Sequence, residues 1–498
     1  SALFRVLPRQ SATGLLPFLL LPCLGFWSTS IAAGAPARLL RCNDFNDAAT
    51  TRACVVAGSD APLPLRSLDP PVFLLDGTEF KTWEQAPEHR RTFHVAQNHA
   101  RASDDNPGTE DRPWKTIGRA AAVLEPGDRV LVHEGLYREW VRPARGGAGP
   151  RQMITYQAVA GGRVILTGSE RFGGKWRPST REGSPASPKA WMVDLPQAIL
   201  DGYNPFAREN MPAAEAKRMP WATRQTGKFP YAAAQGLVFQ DGRRLRQTKT
   251  YGELGAAPGT YWVEPGGRRL HLRPFGDKDP GTAAFELTAR PFAFAPEKAG
   301  LGFLRLDGFT VQHVASCFPM PQRGAVSINQ GHHWIIQNNV VRQVNSLGLD
   351  IARRPYSRPM PEPPETPPLA GVANIVRRNR FLDCGICSMQ GLGIIAGLVE
   401  DNASSGCGWH RVEVYCETGG IKLHYTKHAL IRRNFVRGTI DAPGIWIDHS
   451  NANTRLTANV VVGARSRCGG IFFEASCRPN LVDHNIVWDC TGHGLYQH

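Results

Sequence analysis

The chain has 498 residues, 42% of them hydrophobic and 20% charged, with 51 Gly and 39 Pro, which is enough for two or three domains with their own cores and excludes a disordered or collagen-like chain. Lys plus Arg number 58 against 43 Asp plus Glu, a formal charge of +15, and only 11 of the 58 are Lys, so the excess is carried by Arg. Such a balance suits an acidic partner without requiring one, and no nucleic-acid recognition motif accompanies it.

The first residues carry Arg5 and Arg9, then an apolar run from Leu15 to Trp27 and small residues from Ser28 to Ala37. That order reads as an export signal over 1–35, which places the mature protein in the periplasm or outside the cell. The apolar run is shorter than the roughly 20 residues a membrane span needs, and no other segment is long enough. Removing Cys23 leaves ten of the 11 cysteines, an even number compatible with disulfides in an oxidising compartment. Cys384 and Cys387 form a CxxC with no second pair or spaced His, so stacked core cysteines are expected there rather than zinc. Residues 36–91 have no clear pattern, although Cys42 and Cys54 are placed to close a loop.

From Phe93 the reading is of first coils over 92–169: a strand at Phe93-His-Val-Ala, a turn at Asp105-Asn-Pro-Gly-Thr, and a helix from Trp114 to Leu124 ended by Pro126-Gly127. Such a helix would plug the open end of a coil stack. Strands follow at Arg129–His133 and Met153–Gln157. Between about 170 and 295 hairpin signals take over, with turns at Asp241-Gly242 and Pro265-Gly-Gly, and an inserted antiparallel β-sandwich is expected.

From Gly324 to the end, a Gly followed by a short apolar strand recurs at Gly324, Gly348, Gly393, Gly420, Gly444, Gly470 and Gly494, with spacings of 24, 45, 27, 24, 26 and 24. The long spacing contains the proline-rich stretch from Arg353 to Pro368, which is expected to be a loop. A second series with the same period runs into Asn339, Asn379, Asn434, Asn459 and Asn485, read as structural asparagines at a left-handed bend. A period of ~25 residues built of short β-branched strands predicts an all-β chain whose coils over 296–498 form a parallel β-helix. The repeat is still running at His498, so further coils are expected beyond it.

Side chains alternate along a strand, so Ile445 and Ile447 should point into the coil while Trp446 and Asp448 point out. Stacking the last four coils then gives one outward row of Lys422, Trp446, Phe472 and Tyr496, and a second of His424, Asp448, Glu474 and His498. Aromatics beside paired acids suit a sugar, and exposed aromatic groups mark binding surfaces. Asp448 and Glu474 are 26 residues, one coil, apart. They should therefore lie near the 4.7–4.9 Å rung spacing, close to the ~5–5.5 Å of the carboxyl pair in a retaining glycosidase. Two carboxyls so close raise the pKa of one, which becomes the acid. Glu417 is a candidate third carboxylate at the edge of the wall. A solvated outer face without chemistry is the simpler reading of the same rows.

The segments Phe93-His-Val, Asp105-Asn-Pro-Gly-Thr, Val130-Leu-Val-His-Glu-Gly-Leu-Tyr-Arg-Glu-Trp-Val, Arg145-Gly-Gly, Ile154-Thr-Tyr-Gln-Ala, Thr167-Gly-Ser-Glu and Asn204-Pro-Phe stand in this order. They are followed by Glu417-Thr-Gly-Gly-Ile-Lys-Leu-His, Gly444-Ile-Trp-Ile-Asp and Phe472-Phe-Glu. Over roughly 92–498 the chain thereby resembles glycoside hydrolase family 120, β-xylosidases built as a right-handed parallel β-helix with an inserted β-sandwich, which implies that the coils over 296–498 carry the active site. The resemblance implies a retaining exo-glycosidase with Asp448 as nucleophile, Glu474 as acid/base, and Glu417, Lys422, His424, Trp446 and Phe472 as substrate-binding neighbours. It implies an oligosaccharide substrate and no cofactor or metal. Two other readings stay open: a polysaccharide lyase on uronate polymers, with Lys422 as the candidate base, and a carbohydrate-binding β-helix without catalysis.

Overall fold

The computed structural model describes residues 63–217, 220–316, 318, 323–351, 372–412, 417–476 and 478–498. The export signal, Cys42, Cys54 and the proline-rich stretch from Arg353 to Pro368 lie outside the described residues. Three long sheets of ten, nine and seven strands dominate. Every neighbouring pair in them is parallel, and the chain visits the three sheets in turn. That is a parallel β-helix, right-handed as parallel crossovers are.

A parallel strand offers its inward residues to the strands above and below at the same depth, so apolar residues at period two build columns. Val326, Leu349, Met389, Ile421, Ile445 and Ile471 form one such column within a single continuous core. The helix Ile117–Val123, capped by Thr116, sets Ile117, Ala120 and Ala121 into the first end of this core as expected. Residues 63–88 lie along the outer flank, where Trp83 packs with Phe303, Ile335 and Ile375 and donates its indole N–H to the carbonyl of Ala373 at 2.5 Å.

Within 169–288 two further sheets, of four and five strands, share a core of Phe172, Val238, Phe285, Val193, Tyr261 and Leu272. Both hairpins read from the sequence are present, Val238–Gln240 with Arg243–Arg244 and Thr260–Val263 with Arg269–Arg273. This pair of packed sheets is the inserted sandwich, antiparallel except where Arg246–Gln247 pairs in parallel with Thr260–Val263.

The asparagine series is a continuous buried ladder with one more member than the sequence reading found. In the order Asn339, Asn379, Asn402, Asn434, Asn459 and Asn485, each side-chain amide but the last donates to the side-chain carbonyl of the next, at 2.9–3.0 Å. The expectation that these asparagines take the left-handed bend is corrected. The positive φ belongs to the residue before each: Asn338, Arg378, Asp401, Arg433, Ala458 and His484. The bend turns the following Asn inward, where its amide is needed to satisfy backbone carbonyls such as Val399 O and Ile431 O.

The glycine series needs a second correction. The strand that follows Leu347–Asp350 in its sheet is Cys387–Leu392, paired through Leu349 with Met389, and Gly393 lies after it at φ 81°. The intervening coil is longer than 25 residues, which displaced the apparent repeat. Two of the glycines are fixed by close stacking: a Cβ on Gly444 would collide with Val461, and one on Gly420 with the carbonyl of Gly444.

Among the described residues Cys384, Cys387, Cys407, Cys468 and Cys490 are free thiols. Cys384 and Cys407 are buried in the coil core, whereas Cys387 is buried in a second cluster with Leu347, Ile386 and Phe318. No helix of the described residues is long and apolar enough to cross a membrane.

Candidate active site

The site grows from three neighbouring strands of the seven-stranded sheet, Gly419–His424, Ile445–Asp448 and Ile471–Glu474. Ile421, Leu423, Ile445, Ile447, Ile471 and Phe473 face the core, so their neighbours in sequence face out. The register pairs Lys422 with Trp446 and His424 with Asp448, then Trp446 with Phe472 and Asp448 with Glu474. Phe472 pairs onward with Tyr496. The two rows are therefore those obtained by stacking the sequence, and Asp448 and Glu474 occupy adjacent rungs, a backbone spacing of about 4.8 Å.

Around Asp448 the side chains close into a ring in which Lys422 and His424 alternate with the carboxyls of Glu417 and Asp448. Lys422 Nζ stands 2.7 Å from Glu417 Oε2 and 3.0 Å from Asp448 Oδ2. His424 spans the same two carboxylates, with Nε2 3.1 Å from Glu417 and Nδ1 3.2 Å from Asp448. These ion-pair contacts are poorly angled for hydrogen bonds at Lys422 Nζ, Glu417 Oε2 and His424 Nε2. Lys422 is fully buried and Glu417 and His424 nearly so. An isolated charge at that depth is prohibitive, so each member depends on the others. Glu417 enters the ring from a left-handed residue, φ 60°, just before its strand.

The electrostatics separate the carboxyls. Burial alone would raise Glu417, but the Lys422 charge and the His424 contact hold it down at about 2. Glu474 is pushed above the usual glutamate range, first by burial and then by the facing Asp448 and by Glu417, with Lys422 opposing. Of the two glutamates, a proton is thus favoured on Glu474 and disfavoured on Glu417.

The aromatic row differs from expectation in exposure. Trp446 and Phe472 are only 3% and 4% exposed. The reason is the stack itself: at rung spacing the rings cover one another, Trp446 to Phe472 at 5.2 Å and Phe472 to Tyr496 at 5.2 Å. Lys422 Nζ covers the other face of Trp446, 2.8 Å from its ring centre. The premise of an exposed aromatic wall is corrected; the row is a buttress behind the charged ring, buried at Trp446 and Phe472 and half-buried at Tyr496. The half-buried groups at the rim are Glu474 and the ring pair Tyr425 and His449, 4.9 Å apart.

Gln390 was missed from sequence. It is buried on the rung before Lys422, and among the described residues its amide nitrogen has no hydrogen-bond partner. Setting the strand at Gly393 rather than at Cys387–Leu392 hid it, and the Cys387-Ser-Met-Gln alternation was the available signal.

Glu417, His424 and Asp448 also place one ligand atom each within 4.8 Å of one another, a spacing able to hold a cation. The Lys422 ammonium stands against two of those three groups and supplies positive charge there.

Residues 305–498 match the family described as right handed beta helix region. No curated protein matches the sequence. Among solved structures, the complex of XylC with xylose is similar with a TM-score of 0.65 and 23% identity, covering 82% of this chain and 68% of that one. The GH136 lacto-N-biosidase from Eubacterium ramulus gives 0.40 at 13% identity, covering 82% and 68%. Pectate lyase Pel9A gives 0.35 at 10%, covering 78% and 69%. The likeness to XylC is one of fold.

Proposed function

On this right-handed parallel β-helix we propose a retaining exo-glycoside hydrolase that releases xylose or a similar pentose from the non-reducing end of a β-linked oligosaccharide. The observation that carries the reading is the pairing of Asp448 and Glu474 on adjacent rungs, with a cation and a histidine gathered on the first and the proton favoured on the second. The likeness to a fold captured with xylose supports the choice of sugar.

In this mechanism an Asp448 carboxylate oxygen attacks the anomeric carbon as Glu474 gives its proton to the departing glycosidic oxygen. The bond to the leaving group breaks and a glycosyl ester forms on Asp448. Glu474, now a carboxylate, takes a proton from water, whose oxygen attacks the anomeric carbon and releases Asp448. Lys422 and His424 hold Asp448 in place and offset its charge in the ground state. Glu417 keeps Lys422 and His424 oriented and is placed to accept from a sugar hydroxyl. Trp446 and Phe472 support the ring of charges from behind. No cofactor enters the scheme, and the expected setting is outside the cytoplasm.

The test is release of nitrophenol from a panel of glycosides led by the β-D-xyloside, with Asp448→Asn and Glu474→Gln as controls. Release that both substitutions abolish is the expected result. Equal release from the substituted proteins would sink the assignment. The fold also serves a second reading, a lyase that draws its proton with Lys422, but that ammonium is ion-paired to two carboxylates. Cleavage of uronate polymers to an unsaturated product, with no glycoside hydrolysed, would favour the lyase. Sugar binding with neither activity would leave a carbohydrate-binding protein.

A further inference from the structure

The row that holds Lys422 and Trp446 begins one rung earlier with Gln390, whose register partner is Lys422. Met389 faces the core, so Gln390 faces out on the same side as Lys422. It is 2% exposed, and among the described residues its amide nitrogen has no hydrogen-bond partner. The acid on the rung before it, Asp350, is engaged elsewhere: its Oδ2 accepts from the N–H of Gly324 at 2.8 Å. Trp446, on the far side of Lys422 in the row, carries a second such donor, a buried indole N–H without a partner among the described residues. A buried N–H left unpaired costs stability. Two of them flanking one buried ammonium make a face suited to oxygen acceptors that the described chain does not itself supply.

The second row changes character on the same rung. Leu392 pairs with His424, as His424 pairs with Asp448, but it is apolar and nearly buried. It belongs to one cluster with Met211 and Tyr231 of the insert and with Ile386 and Val412 of the coils. From Glu474 the row therefore runs through Asp448 and His424 to an apolar wall two rungs, ~10 Å, from Asp448. In the hydrolase reading the leaving group lies on the Glu474 side, so the glycone extends toward His424 and that wall. A span of this length holds one pyranose ring.

We infer that Gln390 is a further binding residue of this site: its amide N–H donates to the hydroxyl at C4 of the glycone, across the ring from the anomeric carbon. The inference rests on the glycoside hydrolase reading. A hydroxyl oxygen there supplies the acceptor that the amide lacks. In a 1,4-linked chain a free C4 hydroxyl is what separates the non-reducing end from an internal residue, and a further sugar on that oxygen would meet the Leu392 wall. Gln390 thus reads the end of the chain, and the insert, through its contacts in the Leu392 cluster, closes the site behind it.

The experiment measures kcat/KM of the full chain on nitrophenyl β-D-xyloside and on its 4-deoxy analogue, for the parent, Gln390→Met and Gln390→Glu, with the melting temperature of each. The parent should prefer the xyloside, and in both variants that preference should shrink about tenfold, through loss on the xyloside. Gln390→Met should melt no lower than the parent, because it removes an unpaired buried amide. A parent without the preference, or a preference unchanged in the variants, overturns the inference. So does a Gln390→Met that is destabilised with its preference intact, the behaviour of an amide with a purely structural partner. If the parent cleaves no glycoside, the hydrolase reading fails on its own, and calorimetric titration with xylose and 4-deoxyxylose decides Gln390. Tighter binding of xylose that both variants lose upholds the residue's role, and equal binding or none removes it.

Discussion

The ammonium of Lys422 lies 3.0 Å from Asp448 Oδ2, reached from the preceding rung and two residues back along the strand. The same nitrogen lies 2.7 Å from Glu417 and over the face of Trp446. One fully buried charge thus joins both carboxylates and the aromatic stack, and the site stands or falls as a unit.

Lys422→Met should therefore do more than weaken one contact. It leaves Glu417 buried without its main counter-ion, a loss of about 3–5 kcal/mol in stability. In the hydrolase reading kcat/KM should drop by at least about 10² because the nucleophile loses its orientation. Urea unfolding and glycoside kinetics on the same preparation check both, and a variant as stable as the parent would refute the coupling.

Glu474 carries a raised pKa, so it remains protonated above the ordinary glutamate range and loses that proton as the pH rises. An enzyme that needs it as an acid should show an alkaline limb in kcat/KM at that pKa. Asp448→Asn removes one of the charges that raises it, and the Glu474 carboxyl should then titrate lower. Carbon NMR of the labelled side chain measures this, and a titration unmoved by the substitution would contradict the pairing.

Asn434 sits in the middle of the buried ladder. Its amide donates to Val399 O at 3.0 Å and Asn459 Oδ1 at 2.9 Å, and its own Oδ1 accepts from Asn402. Asn434→Ala strands these partners and should cost about 2–4 kcal/mol, with loss of protection in both adjoining coils by hydrogen exchange.

Acid should destabilise the fold through buried histidines. Burial holds His332 at about 4 and His333 at about 3, and their rings meet at 2.9 Å between Nδ1 atoms. In the unfolded chain both titrate near 6.5, so below that pH the unfolded state binds more protons. Their contribution to stability is complete above about pH 6.5 and is lost as the pH falls toward 4. Replacing both by Phe should flatten the melting temperature between pH 7 and 4.5, in part only, because His410 is held at about 3 by burial in the same way.

The β-helix was legible because a coil is a local object: a Gly, an apolar strand and an Asn at nearly fixed separation name their own neighbours one period away. Asp448 and Glu474 needed nothing further, since 26 residues is one coil and alternation puts both on the outer face. The same logic misled where a coil departs from the period, so Cys387–Leu392 was displaced to Gly393 and Gln390 escaped notice.

Sequence by itself determined the rows, the register of the two acids and the two hairpins of the insert, because these follow from alternation and period. Tertiary structure alone decided which groups close around Asp448 and what remains exposed. Lys422 bends across a rung onto Trp446 and meets Glu417 from a left-handed turn, and the stacked rings bury one another. Such contacts depend on side-chain direction and on distances between coils, to which the order of residues along one coil is blind.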